Sequence, residues 1–257
     1  MTTTLITGGT GGIGQALVST FARRGDEVIF TCHSDREKCA ALEDALCDYS
    51  VKGIAFHLGE LASHRSLYQS LPESVDILIN NAALGSATVA RQSADSHDQD
   101  RRLFEVNVLG PLWLTQEILG RMRRQGRGKI INISSVGGGI YQYPGFKLAD
   151  GMSKAAIAHM SKQLAAELVH EPIDVFAVCP GATRTSMFDA STLSRLDAAA
   201  QQALIQNLPK GRLIEPQEIA DLCLFLGSDL SQVLHGAVID ASMGLGVNPA
   251  CLADKAT

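Results

Sequence analysis

The sequence predicts a doubly wound α/β domain, in which helices cover both faces of a parallel sheet. Strand-like and helix-like segments alternate from the first residues almost to the last, as repeated strand–helix crossovers require. The strand-like segments are apolar without clean alternation, which indicates burial on both faces. No linker-like, low-complexity or repeated segment interrupts this alternation, so we expect one domain over residues 1–257.

The first half of the chain carries three strand–helix units and a fourth strand. The opening strand, Thr3–Thr7, is apolar and ends in a glycine cluster. The helix Ile13–Arg24 follows, because Ile13, Leu17 and Phe21 recur every four residues and share one face. The remaining predicted elements of this half are strand Val28–Cys32, helix Glu37–Leu46, strand Ile54–Leu58, helix Ser63–Leu71 and strand Asp76–Ile79.

The second half continues the alternation with longer helices. In the predicted helix Gly151–His170 the apolar side is formed by Ala155, Ile157, Met160, Leu164 and Leu168. The other predicted elements are helix Leu103–Arg124, strand Lys129–Ser134, strand Ile173–Val178, helix Pro216–Leu226 and strand Ala237–Asp240. Sites often lie on long irregular stretches, and the longest predicted ones are Leu84–Asp100, Val136–Ala149 and Gly181–Ala200.

The composition argues against several classes of protein. With 22 basic and 27 acidic side chains, the net charge is −5, so no surface for nucleic acid or an anionic membrane is expected. No apolar run reaches the roughly 18 residues needed to span a bilayer, and the N-terminus lacks the basic region of a signal peptide. We therefore expect a soluble, cytoplasmic protein without a nucleic-acid or membrane partner.

The cysteines and histidines give no sign of a metal site. The six cysteines are spread along the chain without a C-x-x-C pair, and the seven histidines show no ligand spacing. We expect reduced thiols that pack as small apolar side chains, and no metal.

A glycine-rich segment, Thr7-Gly-Gly-Thr-Gly-Gly-Ile-Gly14, joins the first strand to the first helix. Glycine lets the backbone turn tightly and approach a pyrophosphate, whose charge then meets the N-terminus of the helix. A glycine-rich turn alone is weak evidence, but its position at the first strand–helix junction of a long α/β alternation favours dinucleotide binding.

This segment resembles the T-G-x-x-x-G-x-G fingerprint of the short-chain dehydrogenase/reductase superfamily. Further segments resemble the family's motifs at matching intervals over nearly the whole chain: Asn80-Asn-Ala-Ala83, Asn107-Val-Leu-Gly110, Asn132-Ile-Ser-Ser135, Ser153-Lys-Ala-Ala156 and Pro180-Gly-Ala-Thr-Arg-Thr185. One departure is Ala83, where the family has glycine. The resemblance implies a three-layer, Rossmann-like sheet of about seven strands with helices on both faces.

The resemblance also implies NAD(H) or NADP(H) binding. The implied cofactor-binding residues are Gly8, Thr10, Gly11, Gly12, Ile13, Gly14, His33, Ser34, Arg36, Glu60, Leu61, Asn81, Ala82, Lys154, Pro180, Gly181, Thr183 and Thr185. Glu60 and Leu61 resemble the pair that meets adenine in the family, although an exposed loop carboxylate is an alternative interpretation of Glu60.

The choice between the two dinucleotides depends on charge near the end of the second strand. Relatives that use NAD usually place an acidic residue there, which bonds the ribose 2′-hydroxyl and repels a 2′-phosphate. Here that position holds Cys32, and Arg36 follows nearby, so NADP(H) is favoured over NAD(H). Two features oppose this preference: Asp35 is adjacent, and Gly11 stands where many NADP-preferring relatives carry a basic residue.

The family's catalytic set is Asn, Ser, Tyr and Lys, with the last two spaced Y-x-x-x-K. The resemblance places the asparagine at Asn107, the serine at Ser135 and the lysine at Lys154, but residue 150 is Asp instead of Tyr. An aspartate carboxyl in water ionises at about pH 3.9, and a lysine one turn away favours the ionised form further. We therefore expect Asp150 to suit a general base better than a general acid.

Another tyrosine is an alternative proton donor. Tyr143 and Lys147 form a Y-x-x-x-K string, but Pro144-Gly145 opposes a helix there. Tyr141 or Tyr143 could instead fold over the pocket from its loop, and either could also simply line the substrate site.

Two main functions therefore remain open at this point, with a non-redox reaction such as dehydration or isomerisation as a third possibility. The first is an NADPH-dependent oxidoreductase with an altered proton donor, acting on a small or carrier-bound carbonyl substrate. The second is a catalytically impaired relative that retains dinucleotide binding for a regulatory or assembly role.

The resemblance also implies a homodimer or homotetramer paired through the helices around residues 103–124 and 151–170. The apolar residues expected on the first of these helices are Trp113, Leu114, Ile118 and Met122.

Overall fold

In this computed structural model, which describes residues 1–33, 35–142 and 147–248, a parallel sheet of seven strands forms the centre of the chain. The strands are β1 (Thr3–Ile6), β2 (Glu27–Cys32), β3 (Val51–Ala55), β4 (Ile77–Asn80), β5 (Gly128–Ile133), β6 (Ile173–Pro180) and β7 (Val238–Ala241). They pair in the order β3-β2-β1-β4-β5-β6-β7. The order reverses between β1 and β4, and ligands of open α/β sheets bind at such a reversal, outside the carboxyl ends of the strands.

Helices connect the strands and cover both faces of the sheet. They are α1 (Gly12–Arg24), α2 (Arg36–Ala45), α3 (Leu61–Ser70), α4 (Ser86–Gln92), α5 (Ser96–Phe104), α6 (Gly110–Gln125), α7 (Val136–Gly139), α8 (Leu148–Glu167), α9 (Ser186–Ser191), α10 (Ala198–Asn207) and α11 (Pro216–Leu226). A π-helical turn, Glu105–Leu109, joins α5 to α6. The α7 segment is a distorted turn with non-helical dihedral angles at Gly137 and Gly138.

Two apolar clusters, one for each face of the sheet, form most of the core. The first contains Phe21, Phe30 and Phe176, which are fully buried where α1 and α11 pack on the strands. The second contains Leu5 and Leu78 from the strands, with side chains of α3, α6 and α8. Strands that are buried on both faces explain the continuous apolar runs of the sequence. The predicted α/β fold class is thus confirmed.

Several predicted elements differ in their limits. The strand expected at Ile54–Leu58 lies at Val51–Ala55, because Val28 pairs with Val51 and the apolar Phe56 and Leu58 are buried beyond the strand end. Two stretches expected to be irregular contain helices, which are α4 and α5 in one and α9 and α10 in the other. Short amphipathic helices in connecting segments lack the length that makes a periodic pattern visible in the sequence.

The helices expected to form an interface show a second correction. Leu114, Ile118 and Met122 are fully buried in the chain's own core, so they are not surface residues of α6.

None of the helices in the described ranges combines the length and apolar content needed to cross a bilayer. Within the same ranges, no cluster of three or more His, Cys, Asp or Glu residues is arranged to hold a metal ion.

Candidate active site

The glycine loop between β1 and α1 leaves almost no room for side chains. Gly8 has φ +69°, and a Cβ there would lie 2.9 Å from the Ala82 Cα. A Cβ at Gly9 would lie 2.5 Å from the Phe30 ring, and one at Gly14 would overlap the Gly8 carbonyl oxygen. The loop can therefore turn tightly against β2 and β4 only because these positions are glycine.

Hydrogen bonds fasten this loop to the neighbouring strands. The Thr7 hydroxyl accepts bonds from the amides of Asn81 and Ala82, both at 3.0 Å, and the Asn81 side-chain amide donates to the Thr7 carbonyl at 2.9 Å. On the other side, the Gly8 amide donates to the Thr31 hydroxyl at 3.2 Å. The loop thus spans the point where the strand order reverses.

The start of α1 fits a phosphate group. Gly11 is the N-cap residue, and it brings no side-chain hydrogen bond to the first turn. The amides of Gly12 and Ile13 belong to the first turn of the helix, which has no capping side chain as a hydrogen-bond partner. Such a start binds anions through its amide groups and its dipole. The residues present thus fit the pyrophosphate of a dinucleotide.

An open cleft of ≈ 500 Å³ adjoins this helix start. Thr10, Gly12 and Gln15 line one side, and Arg184, Thr185 and Phe188 line the other. Thr185 packs directly against Gly12, since a Cβ at Gly12 would lie 2.8 Å from the Thr185 Cγ2. The segment after β6 thus forms the second wall of the cleft.

That second wall is itself ordered by hydrogen bonds. The Thr185 hydroxyl caps α9 by accepting a bond from the Phe188 amide at 3.2 Å. The Thr183 hydroxyl donates to the Gly181 carbonyl at 3.0 Å, and the Gly181 amide donates to Ala241 of β7. Pro180 ends β6. Of the residues predicted here, Thr185 contacts the glycine loop, and Gly181 and Thr183 order the segment that carries it.

The end of β2 carries the residues predicted to read the adenosine ribose. Asp35 caps α2 by accepting the Lys38 amide at 3.0 Å and pairs with the Lys38 ammonium at 2.8 Å. Hydrogen bonds from Lys38 hold the pKa of Asp35 below its ordinary value. Arg36, the first residue of α2, is exposed. Ser34 lies outside the described residues.

His33 and His57 bring together the ends of β2 and β3. Their rings meet edge to face with centroids 4.4 Å apart, and the His57 Nδ1 lies 3.7 Å from a Glu60 carboxylate oxygen. Burial and the neighbouring His57 lower the pKa of His33, while Glu60 raises it. Leu61, at the start of α3, is exposed. His57 had not been singled out in the sequence.

Asn107 occupies the middle of the π-helical turn and is buried. Its side chain accepts the Leu84 amide at 2.7 Å and donates to the Leu84 carbonyl at 2.9 Å. It also donates to the Ser153 hydroxyl at 3.1 Å. The wider π turn presents this amide between the end of β4 and the first turns of α8, and π-helical turns are frequent at functional sites.

The end of β5 is bound to α8. The Ser134 hydroxyl donates to the Lys154 carbonyl at 2.7 Å. The next residue, Ser135, accepts the Gly137 amide at 3.2 Å. Gly138, with φ +105°, lies so close to the Gly151 carbonyl that a Cβ would overlap it. The predicted Ser135 and Lys154 therefore lie on segments in direct contact.

Asp150 lies in the first turn of α8, because this helix begins at Leu148 and not at Gly151 as expected. The Asp150 side chain is buried, and its Oδ2 accepts two bonds from Ser86, from the amide at 2.9 Å and from the hydroxyl at 2.6 Å. The Asp150 carbonyl accepts the Ser153 hydroxyl at 2.7 Å. The carboxylate is thus bonded to the first residue of α4, the helix in the connection that follows β4.

Lys154 lies one turn further along α8. Burial lowers the pKa of its ammonium below the ordinary value, and the nearby Asp150 carboxylate opposes this shift only in part. Burial likewise raises the pKa of the Cys179 thiol to about 11. The site therefore places a partly desolvated cation near a buried carboxylate, an arrangement typical of functional sites.

Sequence analysis missed Ser86 and Ser153 as partners in this site. Ser86 fell in a stretch expected to be irregular, and Ser153 was noted only as part of a motif. The single available signal was a serine after Gly85, at a position suited to a helix start. Of the two alternative tyrosines, Tyr141 follows the α7 turn, and Tyr143 lies outside the described residues.

The chain is similar in sequence to known oxidoreductases over most of its length. The pattern of the short chain dehydrogenase family matches residues 2–195. The 3-oxoacyl-(acyl-carrier-protein) reductase FabG of Aquifex aeolicus is 32% identical over 252 residues, covering 94% of this chain and 96% of that protein. Oxidoreductase UcpA of Escherichia coli K12 is 33% identical over 257 residues, covering 95% and 94%.

Solved structures show the same similarity in three dimensions. An actinorhodin polyketide ketoreductase with NADPH superimposes with a TM-score of 0.86 at 25% identity, covering 95% of this chain and 97% of that one. The NADP active-site complex of RhlG from Pseudomonas aeruginosa gives a TM-score of 0.83 at 30% identity, covering 95% and 96%.

Proposed function

This chain belongs to the short-chain dehydrogenase family and is an NAD(P)-dependent oxidoreductase, and from that premise we propose its reaction. It interconverts carbonyl and alcohol groups on a small or carrier-bound substrate. In this proposal Asp150 takes the place of the family's tyrosine. The observation that carries this proposal is the junction of the glycine loop, the Asn107 amide and the first turns of α8 at one edge of the sheet. FabG and the polyketide ketoreductase are relatives whose names describe such substrates.

We propose that the glycine loop and the segment after β6 hold the dinucleotide between them. Gly12 and Ile13 would bind its pyrophosphate, and Thr185 would bind its nicotinamide half. The chemistry that a nicotinamide dinucleotide supplies when bound is hydride transfer. Isothermal titration with NADPH tests this assignment directly, and a folded protein that binds neither NADPH nor NADH would overturn it.

We further propose a preference for NADP(H). The charge pattern supports it, because Asp35 is already paired with Lys38 and Arg36 is an exposed cation near the end of β2. A carboxylate that is already paired repels a 2′-phosphate less than a free one does. Parallel titrations with NADPH and NADH at equal ionic strength should give the lower Kd for NADPH. A lower Kd for NADH would contradict the preference.

In the proposed reaction, Ser135 holds the substrate oxygen, and Asp150 accepts or returns the proton on that oxygen. The Lys154 ammonium stabilises negative charge beside it, and Asn107 fixes the first turns of α8 through Ser153. Both hydrogen bonds at Oδ2 are accepted from Ser86, as an acceptor-only carboxylate requires, and such a carboxylate carries no proton to give. The arrangement therefore favours alcohol oxidation over carbonyl reduction.

Substitution of Asp150 tests this role. Asp150→Asn keeps the shape of the side chain but removes the proton-accepting charge, so kcat should fall by about 10²- to 10⁴-fold while the Kd for NADPH stays within a factor of three. Alcohol oxidation with NADP⁺, measured over a panel of small alcohols, gives the rate. An unchanged kcat would exclude Asp150 from proton transfer.

A catalytically impaired relative that retains dinucleotide binding is the second candidate, favoured by the hold of Ser86 on the Asp150 carboxylate. Asp150→Tyr separates the two functions. A large gain of carbonyl reduction over a silent wild-type protein would support the impaired relative. Loss of a measurable wild-type activity would support chemistry adapted to the carboxylate.

We also propose that the protein is a homodimer or homotetramer. Leu109 on the π turn and Leu148 and Met152 on α8 are apolar and exposed, which supports an interface there in place of the buried residues first expected. Light scattering at micromolar concentration should give a multiple of 27.3 kDa.

A cytoplasmic location is proposed as well, since Cys32, Cys179 and the other cysteines in the described ranges are free.

A further inference from the structure

Ser86 and Asp150 are 64 positions apart in the sequence, yet they form the closest polar contact between α4 and α8 among the described residues. Both donors of Ser86, its amide and its hydroxyl, converge on one oxygen of Asp150, at 2.9 and 2.6 Å. A hydroxyl–carboxylate distance of 2.6 Å is that of a strong, charge-assisted hydrogen bond. The carboxylate is buried, so water competes little for this contact.

The contact also completes the start of α4. Ser86 is the first residue of this helix, so its amide has no partner within the helix. Asp150 supplies an acceptor from another helix. An Asp150 without its carboxylate would leave a half-buried amide and hydroxyl unpaired, which a folded protein avoids.

A second connection runs parallel to the first. Asn107 binds both backbone groups of Leu84 and donates to Ser153, whose hydroxyl donates to the carbonyl of Asp150. The segment that follows β4 is therefore tied to the first turn of α8 at two points, Leu84 and Ser86. With Oδ2 held by Ser86, rotation of the Asp150 carboxyl group is restricted, and Oδ1 accepts none of the hydrogen bonds found among the described residues.

We propose that Ser86 is a positioning residue for Asp150, which aims the second carboxylate oxygen at the substrate and keeps the first one out of the reaction. This inference rests on the proposed function, because it assigns the proton transfer to Asp150. It goes beyond that function in naming the residue that lets an aspartate act where the family has a tyrosine. The contact comes from a helix that sequence analysis had taken for a loop.

Three serine variants test the proposal by steady-state kinetics. Ser86→Ala removes the hydroxyl and should lower kcat at least tenfold, with the Kd for NADPH unchanged. Ser86→Thr keeps the hydroxyl and the amide and should retain at least a third of the wild-type kcat. Ser93→Ala removes a hydroxyl at the other end of α4, where it bonds to Asp95 at 3.2 Å, and should behave as wild type.

The outcome can contradict the proposal in two ways. A wild-type kcat in Ser86→Ala would show that the hydroxyl does not position the carboxylate. An equal loss in Ser86→Ala and Ser93→Ala would show that α4 matters only as a structural element. In the Asp150→Asn background, Ser86→Ala should cause no further loss, because the group it positions is already disabled.

Hydrogen exchange separates this inference from the proposed function. Amide exchange at Ser86, followed by NMR, should accelerate at least tenfold in Asp150→Ala and stay unchanged in Ser93→Ala. If the wild-type protein has no turnover, the proposed function fails, while faster exchange at Ser86 would still establish that Asp150 holds the start of α4. Unchanged exchange would overturn the positioning role regardless of activity.

Discussion

The proposed dinucleotide end and the proposed catalytic end of the site lie on the same edge of the sheet, but they depend on different parts of the chain. At the proposed dinucleotide end, glycine backbone and the Thr7–Asn81 hydrogen bonds create the geometry within two short segments. At the proposed catalytic end, Asp150 is bonded to Ser86, which comes from a helix distant in sequence. A local pattern can reveal the first arrangement, whereas the second requires the folded chain.

The two ends differ in what limits their sequence. The glycine loop has no room for an added Cβ at several positions, so sterics restrict it to glycine there. At the proposed catalytic end the limit is hydrogen-bond pairing, because loss of either Ser86 or Asp150 leaves its partner without a bond.

Apart from the Asp150 variants, the largest expected effect comes from the glycine loop. Gly8→Val should weaken NADPH binding at least 100-fold, because Gly8 has φ +69° and its Cβ would lie 2.9 Å from the Ala82 Cα. Gly25→Ala is the matched control, since Gly25 has φ +95° but no atom within 4 Å of its Cβ. It should lose about 1 kcal/mol of stability and keep its affinity for NADPH. Fluorescence titration and thermal unfolding provide both measurements.

A smaller effect is expected at the catalytic end. Asn107→Ala should lower kcat roughly 10- to 100-fold, because the first turn of α8 loses a fixed position, and should cost about 1–3 kcal/mol of stability. Asn80→Ala is the control, since Asn80 is also a buried amide, bonded to Thr115 and Asn132 at 2.9 and 2.8 Å. If both variants lose stability and kcat alike, Asn107 has only a structural role.

The smallest effect is expected at an exposed ion pair outside both ends of the site, between Arg212 and Glu218. It shows how much a surface ion pair contributes to the free energy of unfolding. Hydrogen bonds from Arg212 lower the pKa of Glu218 from 4.5 to about 2. A lowered carboxyl pKa stabilises the folded state above pH 4.5, and this contribution is lost as the pH falls from 4.5 toward 2. Glu218→Gln keeps the capping box of α11 but removes the charge, so it should be about 0.5 kcal/mol less stable at pH 7. Urea unfolding should show the difference disappearing near pH 2.

Much of the fold was predictable because it depends on local patterns. The apolar strands and the amphipathic α1 are visible in the sequence, and α11 has its predicted limits. The limits of β3 were not predictable, since pairing with Val28 decides them. The helices α4 and α9 were missed because six or seven residues carry too little periodicity.

The candidate site divides in the same way. The glycine loop could be recognised at its strand–helix junction, and Asn81 and Thr185 could be assigned because their segments resemble motifs of the family. The partner of Asp150 could not, because a hydrogen bond between residues 64 positions apart leaves no spacing signal. The shift of α8 toward its N-terminus was also missed, since Leu148 precedes the first clearly periodic residue.

The π-helical turn at Glu105–Leu109 has a consequence for insertions and deletions. Such a turn holds one residue more than an α-helical turn would, and each residue of an α-helix advances the chain by about 100°. Removing one residue from this turn would restore regular α-helical winding and leave the relative rotation of α5 and α6 unchanged, so Leu103 and Leu114 would both still face inward. Removing one residue from the regular part of α6 would instead rotate the rest of that helix by about 100° and turn Ile118 and Met122 away from the core. A single-residue deletion should therefore be less damaging in the π-helical turn than in the rest of α6.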